Sequence, residues 1–134
     1  MTDDDAPTKI ILAEDQLALR QLLAQRLRDL GFDVVEVGDG AVLWQELHDA
    51  LRDEDNPREV ELIITDLRMP RRGGLEVLEL LRRRPAPPPV IVMTAFGDAA
   101  THAQALALGA ARVFDKPFPL DELLAEVRRL TGRG

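Results

Sequence analysis

Short apolar runs that stop at charged residues alternate along this chain with stretches whose leucines recur every three or four positions. Lys9-Ile10-Ile11-Leu12-Ala13 is the first run and ends in Glu14-Asp15. Leu19, Leu22, Leu23, Leu27 and Leu30 follow at helical spacing until Gly31, a residue suited to a left-handed cap. Phe32 to Val37 reads as a second strand and Gly38-Asp39-Gly40 as a turn whose Asp39 is available for capping. Leu43, Leu47, Ala50 and Leu51 mark a second helix, with Trp44 on the flank of the stripe as a core residue. Arg52 to Glu61 is polar, contains Pro57 and reads as a long solvent-exposed loop. The third strand, Val60 to Thr65, runs into Asp66, and Pro70 forbids it from continuing. After a Gly73-Gly74 turn, Leu75, Val77, Leu78 and Leu81 give a third helix, and Ala86-Pro87-Pro88-Pro89 a stiff extended connector. Val90 to Met93, closed by Thr94, is a fourth strand; Asp98 can cap an Ala-rich helix ending at Gly109. Arg112 to Asp115 is a short fifth strand broken by Lys116-Pro117. Pro119 suits the first position of a last helix striped by Leu120, Leu123, Leu124, Val127 and Leu130.

Strands alternating one for one with helices imply right-handed crossovers and an α/β fold: a doubly wound, five-stranded parallel sheet with five helices. Residues 1–8 read as a flexible acidic tail, 9–130 as a single domain and 131–134 as a frayed tail or the start of a linker. At 134 residues the chain is large enough to bury a real core. It has no cysteine, no apolar run long enough to span a bilayer, and an acidic start unlike a signal peptide. These features predict a cytoplasmic protein with no membrane insertion. The formal charge of −7 argues against nucleic acid as a partner, and Arg82-Arg83-Arg84 reads as a solvated helix end.

In such a fold every strand's carboxyl end lies at one edge, where ligands bind. Glu14, Asp15, Asp66, Thr94 and Lys116 should therefore converge there. Carboxylates about 5 Å apart repel by a few kcal/mol per pair at an effective dielectric near 20, so a cation must offset them. Oxygen-only ligands without His or Cys favour Mg²⁺. Lys116, one of only two lysines among seventeen basic residues, and the Thr94 hydroxyl suit phosphate oxygens, although Lys116 can also be read as a structural partner of Asp66. A metal, a nucleophilic carboxylate, an ammonium and a hydroxyl, with no evident second acid or base, fit phosphoryl transfer onto Asp66.

From Lys9 to about Leu130 the chain resembles the receiver domains of two-component response regulators, including the stand-alone chemotaxis type. The resemblance rests on Glu14-Asp15, on Asp66-Leu67-Arg68-Met69-Pro70 with Gly74, on Met93-Thr94-Ala95 and on Phe114-Asp115-Lys116-Pro117. It implies a flavodoxin-like strand order of 2-1-3-4-5 and Asp66 as phosphoacceptor. Asp15, Asp66 and the backbone carbonyl of Arg68 would hold Mg²⁺, with Glu14 assisting through water. Thr94, Ala95 and Lys116 would bind the phosphoryl group, and Lys116-Pro117 would be a cis peptide. Thr94 and Phe114 would form the switch: Thr94 would move toward the phosphoryl group and vacate space into which Phe114 turns, altering the surface of the fourth helix, fifth strand and fifth helix. Arg68 and Phe96 would tune phosphoryl lifetime. Gly73 stands where the family commonly has an acid, and Arg71-Arg72 make that loop basic.

The implied partners are a sensor histidine kinase or histidine phosphotransfer protein and a downstream protein target, with dimerisation on phosphorylation left open. The expectation is a phosphoacceptor signalling protein rather than an enzyme. Three alternatives stay open: a receiver-like interaction domain that never takes phosphate, a Toprim-like metal-dependent enzyme, and a flavodoxin-like FMN module. Asp66-Leu67-Arg68 lacks the second acid that the Toprim kind needs, and Glu14-Asp15 sits where FMN phosphate would want donors. His48 and His102 read as surface residues rather than phosphorelay histidines.

Overall fold

The apolar runs pair into one sheet because each is too short and too buried to satisfy its backbone alone. The structure, a computed structural model, describes residues 8–51, 60–68, 74–95 and 99–132. Its elements are β1 (Lys9–Ala13), α1 (Leu17–Asp29), β2 (Asp33–Val37), α2 (Gly40–Leu51), β3 (Leu62–Asp66), α3 (Gly74–Arg82), β4 (Val90–Ala95), α4 (Ala99–Ala107), β5 (Arg112–Lys116) and α5 (Leu120–Thr131). All strand pairs are parallel and the order is β2-β1-β3-β4-β5, the flavodoxin-like arrangement expected. The Pro57 loop, Met69 to Gly73, Phe96 and Asp98 lie outside the described residues.

The pleat sends alternate side chains to opposite faces, and each face has its own core. Ile11, Ile63, Val90 and Val92 pack with Leu43 and Leu47 of α2, Val77, Leu78 and Leu81 of α3, and Ala105 of α4. Ile10, Leu12, Ile64, Ile91, Met93 and Phe114 pack with Leu23 and Leu27 of α1 and with Leu123 and Val127 of α5. Central β3 is buried along its whole length. That is how a continuous apolar run differs from an alternating one.

Several local expectations shift. Thr8 is no tail residue: it is fully buried and its carbonyl accepts the Asp33 N–H at 2.9 Å. Phe32 precedes β2, its N–H closing the end of α1 on the Leu27 carbonyl after Gly31 turns the chain at φ +94°. Gly74 is not a turn residue but the first of α3. Pro119 caps α5 from outside it, and Thr131 completes that helix before left-handed Gly132. Asp39 does cap α2, its Oδ1 accepting the Ala41 N–H at 2.6 Å. Trp44 is only half-buried, edge-on to the exposed His48 ring at 5.6 Å, and Leu22 is 48% exposed.

Candidate functional site

β1 and β3 stop side by side, so the acids that end them meet. Glu14 remains tied to the sheet through its N–H, 2.9 Å from the Val37 carbonyl, and its side chain is fully buried. Its Oε2 accepts the Gln16 N–H at 3.0 Å, which also orients the start of α1. Asp15, the next residue, is exposed. Asp66 is the last residue of β3 and 6% exposed. Its Oδ1 accepts the Arg68 N–H at 2.9 Å, and its Oδ2 accepts a bond from Lys116 Nζ.

Lys116 ends β5 across a cis bond to Pro117, and its ammonium bridges two acids. Nζ lies 2.6 Å from Glu14 Oε1, so the two carboxylates share one ammonium. Burial pushes the Glu14 carboxyl above its ordinary pKa of 4.5, a rise that Lys116 and the Gln16 amide only partly oppose. Burial pulls the Lys116 ammonium down, but the hydrogen bonds it donates to Asp66 and Glu14 outweigh that and the net direction is up from 10.5.

Ligand oxygens of Glu14, Asp15 and Asp66 lie within 4.8 Å of one another. The set is all oxygen, and two of its members, Glu14 and Asp66, are buried. Those donors fit a hard divalent cation such as Mg²⁺, which takes carboxylates and keeps waters. Gly74 makes the Asp66 loop compact. Its N–H donates to the Leu67 carbonyl at 2.8 Å, and a Cβ there would stand 3.0 Å from the Asp66 carbonyl oxygen.

Thr94 and Ala95 end β4 beside this cluster. Thr94 is 3% exposed, and its hydroxyl makes only a long, 3.5 Å bond to the Ala95 carbonyl. Ala95 and Lys116 line a cleft of about 450 Å³ with Gln16, Leu19 and Leu22 of the α1 side and Pro117, Phe118 and Leu120 of the α5 side. Arg68 is exposed, while Phe96 lies outside the described residues.

The expected pairing of Thr94 with Phe114 is the one that the geometry contradicts. In β4 and β5 Met93 pairs with Phe114 and Thr94 with Asp115. Met93 and Phe114 point into the α1–α5 core, where Phe114 meets Phe118 at 5.5 Å. Thr94, one residue on, has the parity of Val90 and Val92 and faces α2–α4. On that face β5 offers Val113, which packs against the same core, and Asp115. Space vacated by Thr94 is therefore not space into which the Phe114 ring can turn. The sequence contained the needed signal only as parity: Phe114 is two residues from Lys116, hence on the face of the cleft.

Three contacts escaped sequence reasoning. His102 is not a plain surface residue: Nε2 sits 2.7 Å from Asp115 Oδ1 and ties α4 to β5. Glu126 is buried on α5 between Arg129 and Arg112, whose guanidinium also stacks 4.5 Å over the Phe114 ring. Arg20 reaches back from α1 to the Glu14 carbonyl at 2.9 Å.

The model of the response regulator receiver domain family matches residues 10–128. The chain belongs to that family. Among curated relatives, the C4-dicarboxylate transport transcriptional regulatory protein DctD of Pseudomonas aeruginosa is 38% identical over 125 residues, covering 93% of this chain and 25% of the relative. The transcriptional regulatory protein PdtaR of Mycobacterium tuberculosis is 35% identical over 138 residues, covering 98% of this chain and 62% of its own. This chain thus spans only part of the relatives it matches. Among solved structures, a response regulator receiver protein from Pseudomonas putida superposes with TM-score 0.77 at 26% identity, covering 92% of this chain and 98% of that one. The chemotaxis response regulator CheY4 of Vibrio cholerae shares the fold, with TM-score 0.78 at 24% identity over 93% and 99% of the two chains. The family is that of the receiver domains of two-component response regulators, and not the Toprim or the flavodoxin family. No helix among the described residues is long and apolar enough to cross a membrane.

Proposed function

We propose that this receiver takes a phosphoryl group onto Asp66 from a histidine kinase or histidine phosphotransfer protein, and that the modification changes protein contacts around α4, β5 and α5. The observation that carries the reading is the environment of Asp66. Its two oxygens are held by the Lys116 ammonium and the Arg68 amide, inside a cluster of three carboxylates. Hydrogen-bonding both oxygens fixes the rotamer, so one face of the carboxylate is aimed at an incoming phosphorus.

In the transfer a carboxylate oxygen of Asp66 bonds to phosphorus as the donor's phosphorus–nitrogen bond breaks. The departing imidazole nitrogen keeps the electron pair and takes a proton from solvent. Asp15, Asp66 and the Arg68 carbonyl would hold Mg²⁺, with Glu14 acting through water; bound there, the ion supplies charge that stabilises the phosphoryl oxygens. Lys116, already between Glu14 and Asp66, follows the new negative charge by a small movement. The buried Thr94 hydroxyl, weakly engaged with Ala95, is available as a donor to the same oxygens. The exposed residues of the cleft beside Lys116 supply an apolar approach for the donor.

The net charge of −7 supports protein rather than nucleic acid as the immediate partner; transcriptional regulation is said of the longer relatives. Incubation with a small-molecule phosphodonor and Mg²⁺ should add one phosphoryl mass to the wild-type chain and none to Asp66→Asn. An unchanged wild-type mass, or a labelled Asp66→Asn, overturns the proposal.

A further inference from the structure

Two arginines of α1 bind the same carboxylate of β2, yet only one of them touches the acidic site. Arg20 Nε lies 3.4 Å from Glu36 Oε1, and Arg28 Nη1 lies 3.0 Å from Glu36 Oε2. Arg28 sends Nη2 to the Val34 carbonyl at 2.9 Å, far down β2. Arg20 instead sends Nη1 to the backbone carbonyl of Glu14 at 2.9 Å, with its side chain 19% exposed.

We propose that Arg20 is a positioning residue for the metal-binding carboxylates, an inference that rests on the reading given above. Glu14 leaves β1 held at three points: its N–H on Val37, its side chain on the Gln16 amide, and its carbonyl on Arg20. The Arg20 bond fixes the peptide that joins Glu14 to Asp15, so it sets the direction in which the exposed Asp15 carboxylate leaves the chain. Without it that peptide loses the bond to its carbonyl, and the exposed Asp15 is the member of the 4.8 Å cluster whose placement suffers first.

The turn after β2 is shaped around this guanidinium. A Cβ on Gly38 would come within 2.6 Å of Arg20 Nη1, the far end of a flexible side chain that must then swing away. Gly38→Ala thus displaces the guanidinium without deleting its charge. Arg28→Ala removes a partner of the same Glu36 and leaves the Glu14 carbonyl bonded.

Coulomb attraction and positioning predict opposite signs. Deleting a cation beside an acidic site should tighten Mg²⁺ binding, whereas loosening the ligands should weaken it. The test is titration of the whole chain with Mg²⁺ alone, followed by calorimetry, beside amide hydrogen exchange at Asp15 and Gln16 in metal-free protein. Arg20→Ala should weaken Mg²⁺ binding about tenfold, in the range for residues that orient metal ligands. It should also speed exchange at those amides. Gly38→Ala should shift both in the same direction, Arg20→Lys should recover part of the loss, and Arg28→Ala should change neither. Unchanged or tighter Mg²⁺ binding in Arg20→Ala and Gly38→Ala overturns the inference alone, as does equal weakening by Arg28→Ala. A wild-type chain that takes up no Mg²⁺ overturns the phosphoacceptor reading and this inference with it.

Discussion

Replacing Lys116 by methionine keeps the reach of the side chain and deletes the charge that joins two acids. Ligand oxygens of Glu14 and Asp66 are then left within 4.8 Å of one another with no ammonium between them. At an effective dielectric near 20, that separation corresponds to about 3.5 kcal/mol of repulsion if both are ionised. Glu14 is fully buried and Asp66 nearly so, which limits screening by solvent. Glu14 has an escape, because burial already holds its pKa above 4.5 and losing Lys116 removes the largest opposing influence. The folded chain then keeps a proton that the unfolded chain releases, so stability falls as pH rises from 4.5 through the folded value. Urea unfolding should therefore show Lys116→Met destabilised by about 2–4 kcal/mol at about pH 7.5 and by clearly less at about pH 5. Mg²⁺ should restore part of the loss at the higher pH. In wild type the Lys116 contribution is complete below 10.5 and disappears as pH climbs through its raised folded value; the variant should lack that alkaline loss. Equal destabilisation at both pH values, with no recovery in Mg²⁺, would refute the reasoning.

Glu126 should govern acid stability away from the site. The Arg129 hydrogen bond, opposed by burial and aided by Arg112, holds its carboxyl below 4.5, so its contribution is present above 4.5 and lost as pH falls through the folded value. Urea midpoints of Glu126→Gln should therefore fall less than wild type between pH 4.5 and lower pH, and parallel curves would count against it. Gly74→Ala should destabilise by about 1–3 kcal/mol, since both near neighbours of the new Cβ, the Asp66 carbonyl oxygen and Leu67 Cα, are backbone. It should also weaken Mg²⁺ binding, and an unchanged Mg²⁺ affinity would show that the Asp66 loop absorbs the methyl group. Phe114→Leu should cost about 1.5 kcal/mol or less and leave any beryllofluoride-induced change in α4 hydrogen exchange intact. Abolition of that change by Phe114→Leu would restore the ring to the switch.

Fold and chemistry were legible to different depths. The five strands announced themselves because each apolar run ends in a residue that no core accepts: Glu14, Asp66 and Lys116 at the site, or a turn. Their convergence followed from parallel topology alone, which is why Lys116 and Asp66 could be joined across fifty positions. Pairings that depend on side-chain reach were hidden. Nothing in the period of α1 distinguishes Arg20, which braces Glu14, from Arg28, which does not. Nothing in α4 marks His102 as the partner of a residue thirteen positions on. Element edges also misled by one residue, at Phe32 before β2 and at Pro119 before α5, where a local signal was correct in kind but the hydrogen-bonded element began one residue later.

The face assignment of β5 bears most on how a signal would leave the site. Ala95 and Lys116 pair on the α1–α5 side, beside the cleft, while Thr94 and Asp115 pair on the side of α4. On the proposed reading the donor arrives on one face and the consequence departs on the other, through Thr94, Val113 and the Asp115–His102 contact. Magnitude separates the two parts of that route. The His102 and Asp115 side chains are 26% and 42% exposed, and a pair so open to solvent contributes about 0–1 kcal/mol, a factor of about five at most. Larger coupling, on the scale of about 1–3 kcal/mol common between linked sites, must then come from repacking of buried groups. Thr94 and Val113 are the pair on that face, and Val113 has far less surface to move than an aromatic ring. A receiver built this way should respond to phosphorylation with a modest shift of α4, graded by small side chains and trimmed by a surface ion pair.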